Sequence, residues 1–330
     1  MNASVPSLAP TLEVTQFHSL ARGPKLIVLG AVHGNEICGT LAIRKVLTQF
    51  ASGQLKIKRG QISFVPITNA LAYEKEQRAG DRNLNRDFRP AVVPLDNEDR
   101  IANVLAPLLA SHEVLLDLHS FASQGDPFIF VGPENNEADL EPFAKQAQEE
   151  RFSAALGPRR LVHGWMPAFA LGVSRRADDK VSYGVGTTEY MRSRGGIAVT
   201  VECGNHADPQ APEVAYQVIL RALRTLDLID ESASSTRNEV QGANQAAPLE
   251  VLELYEVIDK NHVEDVFVKP WRSFDAIAEG EVVAYRASIK GSAVQPIKAP
   301  QAGRIVFPNA NAIVGKEWFY LARASHRNLA

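Results

Sequence analysis

The chain has 330 residues, 45% hydrophobic and 22% charged, with a net charge of −3 and 2 cysteines. No apolar run approaches the ~20 residues of a membrane-crossing helix, and there is no basic footprint for nucleic acid or an anionic membrane surface. Two cysteines make no disulfide framework, and the first residues, MNASVPSLAP, lack the positive and apolar regions of a signal peptide, so a cytoplasmic setting is expected.

In chain order, strands are expected at 25–32 (KLIVLGAV), 60–67 (GQISFVPI), 113–119 (EVLLDLH), 127–132 (PFIFVG) and 196–202 (GIAVTVE). Several are nearly unbroken apolar runs, as strands covered on both faces are. A helix is expected within 96–113, where Ile101, Val104, Leu105, Leu108 and Leu109 recur at helical spacing behind polar capping candidates. A second is expected within 212–229, on Ala215, Ile219, Ala222, Leu223 and Leu226. The stretch 230–248 then turns polar and small, and a linker is placed at 236–248. Beyond it, VLELYEVI, EVVAYRAS, GRIVFP and WFYLAR alternate like short strands. The expectation is an α/β fold: a mainly parallel or mixed central sheet flanked by helices over 1–235, then a small β domain over 249–330.

The run LIVLGAVHGNEICG (26–39) passes straight from an apolar strand into His33-Gly34-Asn35-Glu36. The bland reading is a strand followed by a polar loop, with Glu36 opening a helix. Two other strands weigh against it: EVLLDLHSF carries His119, and GIAVTVECGNH carries Glu202. In open α/β sheets ligands bind beyond the carboxyl ends of strands, so His33, Glu36, His119 and Glu202 would share one edge. Two histidines and a carboxylate are a standard ligand set for catalytic zinc, with a fourth position left for water. A second carboxylate that is not a ligand can take a proton from that water. Asp117 shares a strand face with His119 and can back a ligand from behind.

HGNE, QRAGDRNLNRDF, a distant DLHS and a late TVECG together resemble the succinylglutamate desuccinylase/aspartoacylase family, which is related in fold and site to zinc carboxypeptidases. A bare HxxE is common by chance; the four motifs in this order are specific. The resemblance spans roughly residues 25 to 205 and continues weakly in GRIVFPNANAIVG. It implies a zinc carboxypeptidase-like fold, with His33, Glu36 and His119 holding one Zn2+ per chain and Glu202 acting as general base. It implies that Asn85 and Arg86 hold a substrate carboxylate, and that Arg78 polarises the scissile carbonyl and stabilises its oxyanion. The expected activity is that of a zinc-dependent amidohydrolase, a deacylase of an N-acylated amino acid or related small carboxylate. The 249–330 domain would cover the mouth of the site. Alternatives are a zinc carboxypeptidase acting on peptides and a non-catalytic metal-dependent binding protein. A homo-oligomer is compatible with the sequence.

Asn83 stands where the family often has an acid, and the stretch around Ile313-Val314 is apolar where aspartoacylases supply a substrate-gripping tyrosine. Aspartoacylase specificity is therefore unsupported, and no residue is diagnostic for succinylglutamate. Cys203 is expected to be a small buried residue. His163 and His206 either line the cleft or are satisfied elsewhere. Glu189, Arg192 and Arg194 are expected on a loop before the Glu202 strand, as pocket groups or as solvated charges. The run PIKAPQAGRIVFP is similar to biotinyl and lipoyl carriers, but Lys290-Gly291-Ser292-Ala293 lacks the Met-Lys-Met tip of a biotinyl module.

Overall fold

The computed structural model describes residues 11–176, 180–231, 248–287 and 294–327. The linker expected at 236–248, save Pro248, and the stretch Lys290 to Ala293 lie outside them. The apolar runs form strands as expected. Strand β1 (Thr15–His18) is followed by β2 (Lys25–Leu29), helix α1 (Cys38–Ala51), β3 (Leu55–Ile57) and β4 (Gln61–Val65). Next come α2 (Ala70–Glu74), α3 (Asn97–Ala110), β5 (Val114–Phe121), β6 (Phe128–Phe130), α4 (Gln146–Ala155) and β7 (Arg160–His163). Then follow α5 (Trp165–Val173), α6 (Thr187–Ser193), β8 (Ile197–Asn205), α7 (Ala211–Thr225) and β9 (Ile229–Glu231).

The later strands are β10 (Glu250–Asp259), β11 (Val266–Phe267), β12 (Ala276–Ile277), β13 (Val282–Arg286), β14 (Gln295–Lys298), β15 (Gly303–Val306) and β16 (Glu317–Ala324). Eleven strands form one mixed sheet in the order β1-β4-β2-β5-β8-β6-β7-β10-β16-β15-β12. Of the strands after residue 249, β10, β16, β15 and β12 continue the central sheet, with β10 pairing in parallel with β7. A separate small sheet, β11-β13-β14, carries the rest of that region. β2, β4, β5 and β8 run parallel, whereas β6 runs antiparallel to β8.

Alternation of side chains divides the centre of the sheet between two cores. Leu26, Val28, Leu116, Leu118, Val199 and Val201 face α1 and α7. Ile27, Leu29, Leu115 and Ala198 face the other way, toward α3 and α6. Burial on both faces is why these strands read as continuous apolar runs. Helix α3 buries Ile101, Leu105 and Leu109, each worth about 1.5–3 kcal/mol of apolar burial. Val104, which fits the same helical spacing, is exposed. Asp96 caps α3 by accepting from the Asp99 N–H.

Candidate metal centre and active site

On β5 and β8 the side chains facing α3 and α6 include Asp117, His119, Thr200 and Glu202. His119 sits opposite Glu202 and Asp117 opposite Thr200 in the parallel pairing. Both strands run on past these residues, to Phe121 and Asn205, so His119 and Glu202 lie inside strands rather than at their last residue. His33 and Glu36 come from the turn after β2. That turn leaves the strand through Ala31, whose φ of +46° is left-handed. It also passes so close to the α2 backbone that a side chain at Gly34 would collide with Ala72. Helix α1 begins only at Cys38, so Glu36 does not open it; the carboxylate turns inward and is 1% exposed.

The ligand atoms of His33, Glu36 and His119 lie within 4.8 Å of one another, and all three residues are buried. His33 Nδ1 is 2.9 Å from Glu36 Oε1, His119 Nδ1 is 2.8 Å from Glu36 Oε2, and the two Nδ1 atoms are 3.1 Å apart. What lies behind the rings decides what these atoms present. Asn83 Oδ1 accepts from the Asn85 N–H, which fixes it as the oxygen end of the amide, and it faces His33 Nε2 at 3.0 Å. Asp117 Oδ1 faces His119 Nε2 at 3.0 Å. The Asn83 carbonyl thus holds the His33 ring proton on Nε2, while Asp117 Oδ1 faces His119 Nε2 as a charge partner without hydrogen-bond geometry, and both Nδ1 atoms point with the Glu36 oxygens into one small space. Lone pairs converging without a cation repel; a divalent ion ligated by two imidazoles and a carboxylate satisfies them all. The residues present fit a metal ion. Asn83, expected to leave a gap where the family has an acid, supplies the acceptor with its amide carbonyl.

Without an ion in place, the carboxylates draw a proton onto His119 instead. Burial would raise Glu36, but the two histidines beside it hold its carboxyl well below the usual range. Burial would lower His119, but Asp117 and Glu36 outweigh it and raise the ring well above its ordinary value. Burial, with the Arg78 charge, lowers His33 to about 4. Burial, with the Glu36 charge, pushes Glu202 up to about 8. Its Oε2 is buried without a hydrogen-bond partner among the described residues. Around Glu36, His119 and Glu202 the shifts favour added positive charge, His33 being the exception, and one spare carboxylate stands beside the three converging groups.

Arg78 is half-exposed and reaches Glu36 Oε1 at 2.7 Å. Asn85 and Arg86 line the same cavity, of about 1000 Å³, as His33, His119, Glu202 and Arg78. Asn85 Oδ1 accepts from the Thr187 N–H at 2.9 Å, so its NH2 end is the one left for a ligand. A side chain at Gly186 would occupy the place of that amide oxygen. Arg86 is half-buried, stacks on Trp165 at 4.8 Å and donates to the Asn85 carbonyl. It makes no ion pair among the described residues. A half-buried guanidinium beside an amide NH2 that has no partner among the described residues matches a carboxylate.

Thr187 was not singled out by sequence. Its hydroxyl donates to Asp117 Oδ2 at 2.5 Å, while its N–H holds Asn85, so one residue ties the amide beside Arg86 to the carboxylate behind His119. It belongs to α6, which replaces the loop expected around Glu189. Glu189 accepts from the Gly186 N–H, and Arg192 is buried against Glu141 and Glu149, while Arg194 lies away from the cavity. Both histidines line the cavity: His206 contacts Ser120 Oγ at 2.8 Å and His163 contacts Ser325 Oγ at 2.6 Å. Cys203 is buried against Cys38. Ile313 and Val314 are largely exposed; the tyrosine that reaches the cavity from the C-terminal strands is Tyr320.

A family model for the succinylglutamate desuccinylase/aspartoacylase catalytic domain matches residues 22–208. A comparison with curated protein sequences gives no significant match. Among solved structures, the chain is similar to a succinylglutamate desuccinylase/aspartoacylase from Rhodobacter sphaeroides, with TM-score 0.71 and 16% identity over 96% of this chain and 90% of that one. It is also similar to product-bound ectoine utilization protein EutE from Ruegeria pomeroyi, with TM-score 0.69 and 18% identity over 94% and 88%. An aspartoacylase family protein from Mesorhizobium loti gives 0.66 and 20% over 96% and 90%. At these identities the likeness is one of fold. No helix of the described residues is long and apolar enough to cross a membrane.

Proposed function

The chain belongs to the succinylglutamate desuccinylase/aspartoacylase family, and we propose that it is a zinc-dependent amidohydrolase that removes the acyl group from an N-acylated amino acid. The observation that carries this reading is one cavity into which His33 and His119 open beside the buried Glu36, together with a spare buried carboxylate and a guanidinium without an ion pair among the described residues. His33, Glu36 and His119 would hold the ion, and imidazole-carboxylate donors suit zinc. The ion supplies Lewis acidity toward the carbonyl oxygen and makes a water more acidic.

The remaining steps fall to the protein's own groups. Arg86 and the Asn85 NH2 bind the substrate carboxylate and fix the amide relative to β5 and β8. Glu202 takes a proton from the attacking water and returns it to the leaving amine nitrogen. Arg78 swings from Glu36 toward the carbonyl and stabilises the developing oxyanion. Asn83, Asp117 and Thr187 keep the two imidazoles and Asn85 oriented. Phe307 and Tyr320, from the region after residue 249, wall the cavity, which favours a small amide over a long peptide.

The test is amine release from N-acetyl-, N-formyl- and N-succinyl-amino acids and short peptides, by zinc-loaded and chelator-stripped protein. Release from an N-acyl amino acid that stops on stripping and returns with zinc supports the proposal. Release from peptides alone would move the reading to a carboxypeptidase, and release from none would leave metal binding without catalysis.

A further inference from the structure

Building on the deacylase reading, we infer that the site takes a substrate with one carboxylate whose remaining bulk is apolar or aromatic, and selects against the dicarboxylates for which its family is named. Two independent features of the cavity wall lead there, one of charge and one of shape.

Five arginines line the cavity: Arg176 pairs with Asp259 and Glu317, Arg192 with Glu141 and Glu149, and Arg327 with Glu134 and Glu150, while Arg78, on Glu36, is committed to the scissile carbonyl. Lys316, also on the wall, is engaged. His163 and His206 are pushed toward the neutral form, in both cases chiefly by burial. Arg86 makes no ion pair among the described residues, and the Glu317 charge that reaches it is shared with Arg176, so Arg86 is left to match one substrate carboxylate. A second would be desolvated without a free cation, near Glu189 and Glu202.

The shape is set by four rings that close on one another beside Arg86. Trp165, which Arg86 stacks on, lies 6.3 Å from Phe130 and 5.8 Å from Tyr320 between ring centres. Phe307 completes the circuit, 5.9 Å from Phe130 and 6.5 Å from Tyr320. Phe121, two residues after His119, joins Phe307 at 5.6 Å and carries the aromatic surface to the converging ligand groups. Phe130 pairs with Thr200, on the Glu202 face of the sheet. Phe130, Trp165 and Phe307 are only partly buried, so their rings still offer surface to the cavity. A substrate anchored on Arg86 with its amide near Glu202 therefore lies along an aromatic wall, where burying a phenyl group gives affinity and a carboxylate is penalised.

The experiment separates this from the deacylase reading by measuring binding without turnover. Zinc-loaded Glu202→Gln protein is titrated calorimetrically with N-acetylphenylalanine, its amide N-acetylphenylalaninamide, N-acetylaspartate and N-succinylglutamate. The expectation is that N-acetylphenylalanine binds at least about tenfold tighter than either dicarboxylate, and that its amide loses the same factor. Phe307→Ala, checked by Phe307→Leu should alanine not fold, is expected to weaken N-acetylphenylalanine about tenfold while moving N-acetylaspartate less than about threefold. Equal or tighter binding of a dicarboxylate overturns the inference. Wild-type turnover is scored separately. Selective binding with no hydrolysis would refute deacylation and keep the aromatic preference; hydrolysis with dicarboxylates preferred would do the reverse. Binding of none of the four would refute both.

Discussion

Replacing Thr187 by valine keeps its shape and backbone N–H and removes only the hydroxyl. That hydroxyl is 2.5 Å from Asp117 Oδ2, and Asp117 has no exposed surface. A hydrogen bond to a charged group contributes about 1.5–3 kcal/mol, and no water can replace it at a fully buried oxygen. Asp117 would then hold His119 less firmly, and losing such support behind a metal ligand costs about 10- to 100-fold in metal affinity. The assay is zinc competition against a chelating dye, with urea unfolding of the metal-free protein alongside. Thr187→Val should lose zinc affinity by that factor and unfold at lower urea, while Thr187→Ser should recover most of both. Affinity within twofold of wild type in the valine variant would refute the reasoning. A serine variant as weak as valine would mean that packing, not the hydroxyl, was responsible.

Three further outcomes are expected. Wild-type protein should prefer an N-acyl amino acid over its methyl ester by about tenfold or more, because the ester leaves Arg86 unpaired in a desolvated site; in Arg86→Ala the preference should vanish, and equal rates for acid and ester in wild type would remove the anchor. Arg78→Lys should lower kcat more than it raises KM, since the contact forms with the developing oxyanion; a pure rise in KM would make Arg78 a binding residue. His163, lowered by burial and by Arg327 to about 4 from 6.5, stays neutral in the folded chain while the unfolded chain takes up a proton below about 6.5. Stability from this group is therefore present above pH 6.5 and lost as pH falls toward 4. The pH dependence of urea unfolding should be shallower across that window in His163→Gln, and an unchanged profile would contradict the assignment.

The convergence of the proposed ligands and base was legible in the sequence because each residue follows or interrupts an apolar run long enough to be a buried strand. That pattern alone brings His33, Glu36, His119 and Glu202 to one edge of the sheet. What stayed hidden depends on pairings that local pattern does not encode. β6 is only three residues of strand, and nothing in PFIFVG tells that it reverses against β8. The aromatic circuit forms because β10 joins β7 and carries β16 with it, which brings Tyr320 across more than a hundred residues to Trp165. Thr187 was masked by its charged neighbour Glu189, which spends its carboxylate capping α6. Asn83 looked like a missing acid because a carbonyl acceptor and a carboxylate differ in charge but not in their ability to take the His33 proton.

Glu202 is proposed to act as base beside a metal it does not hold, and turnover of zinc-loaded Glu202→Gln protein tests that most directly. With an N-acyl amino acid that wild type hydrolyses, and with zinc content measured in the same sample, the variant should keep its metal and lose about a hundredfold or more in kcat. Turnover within a few-fold of wild type, or loss of the metal with the carboxylate, would contradict it.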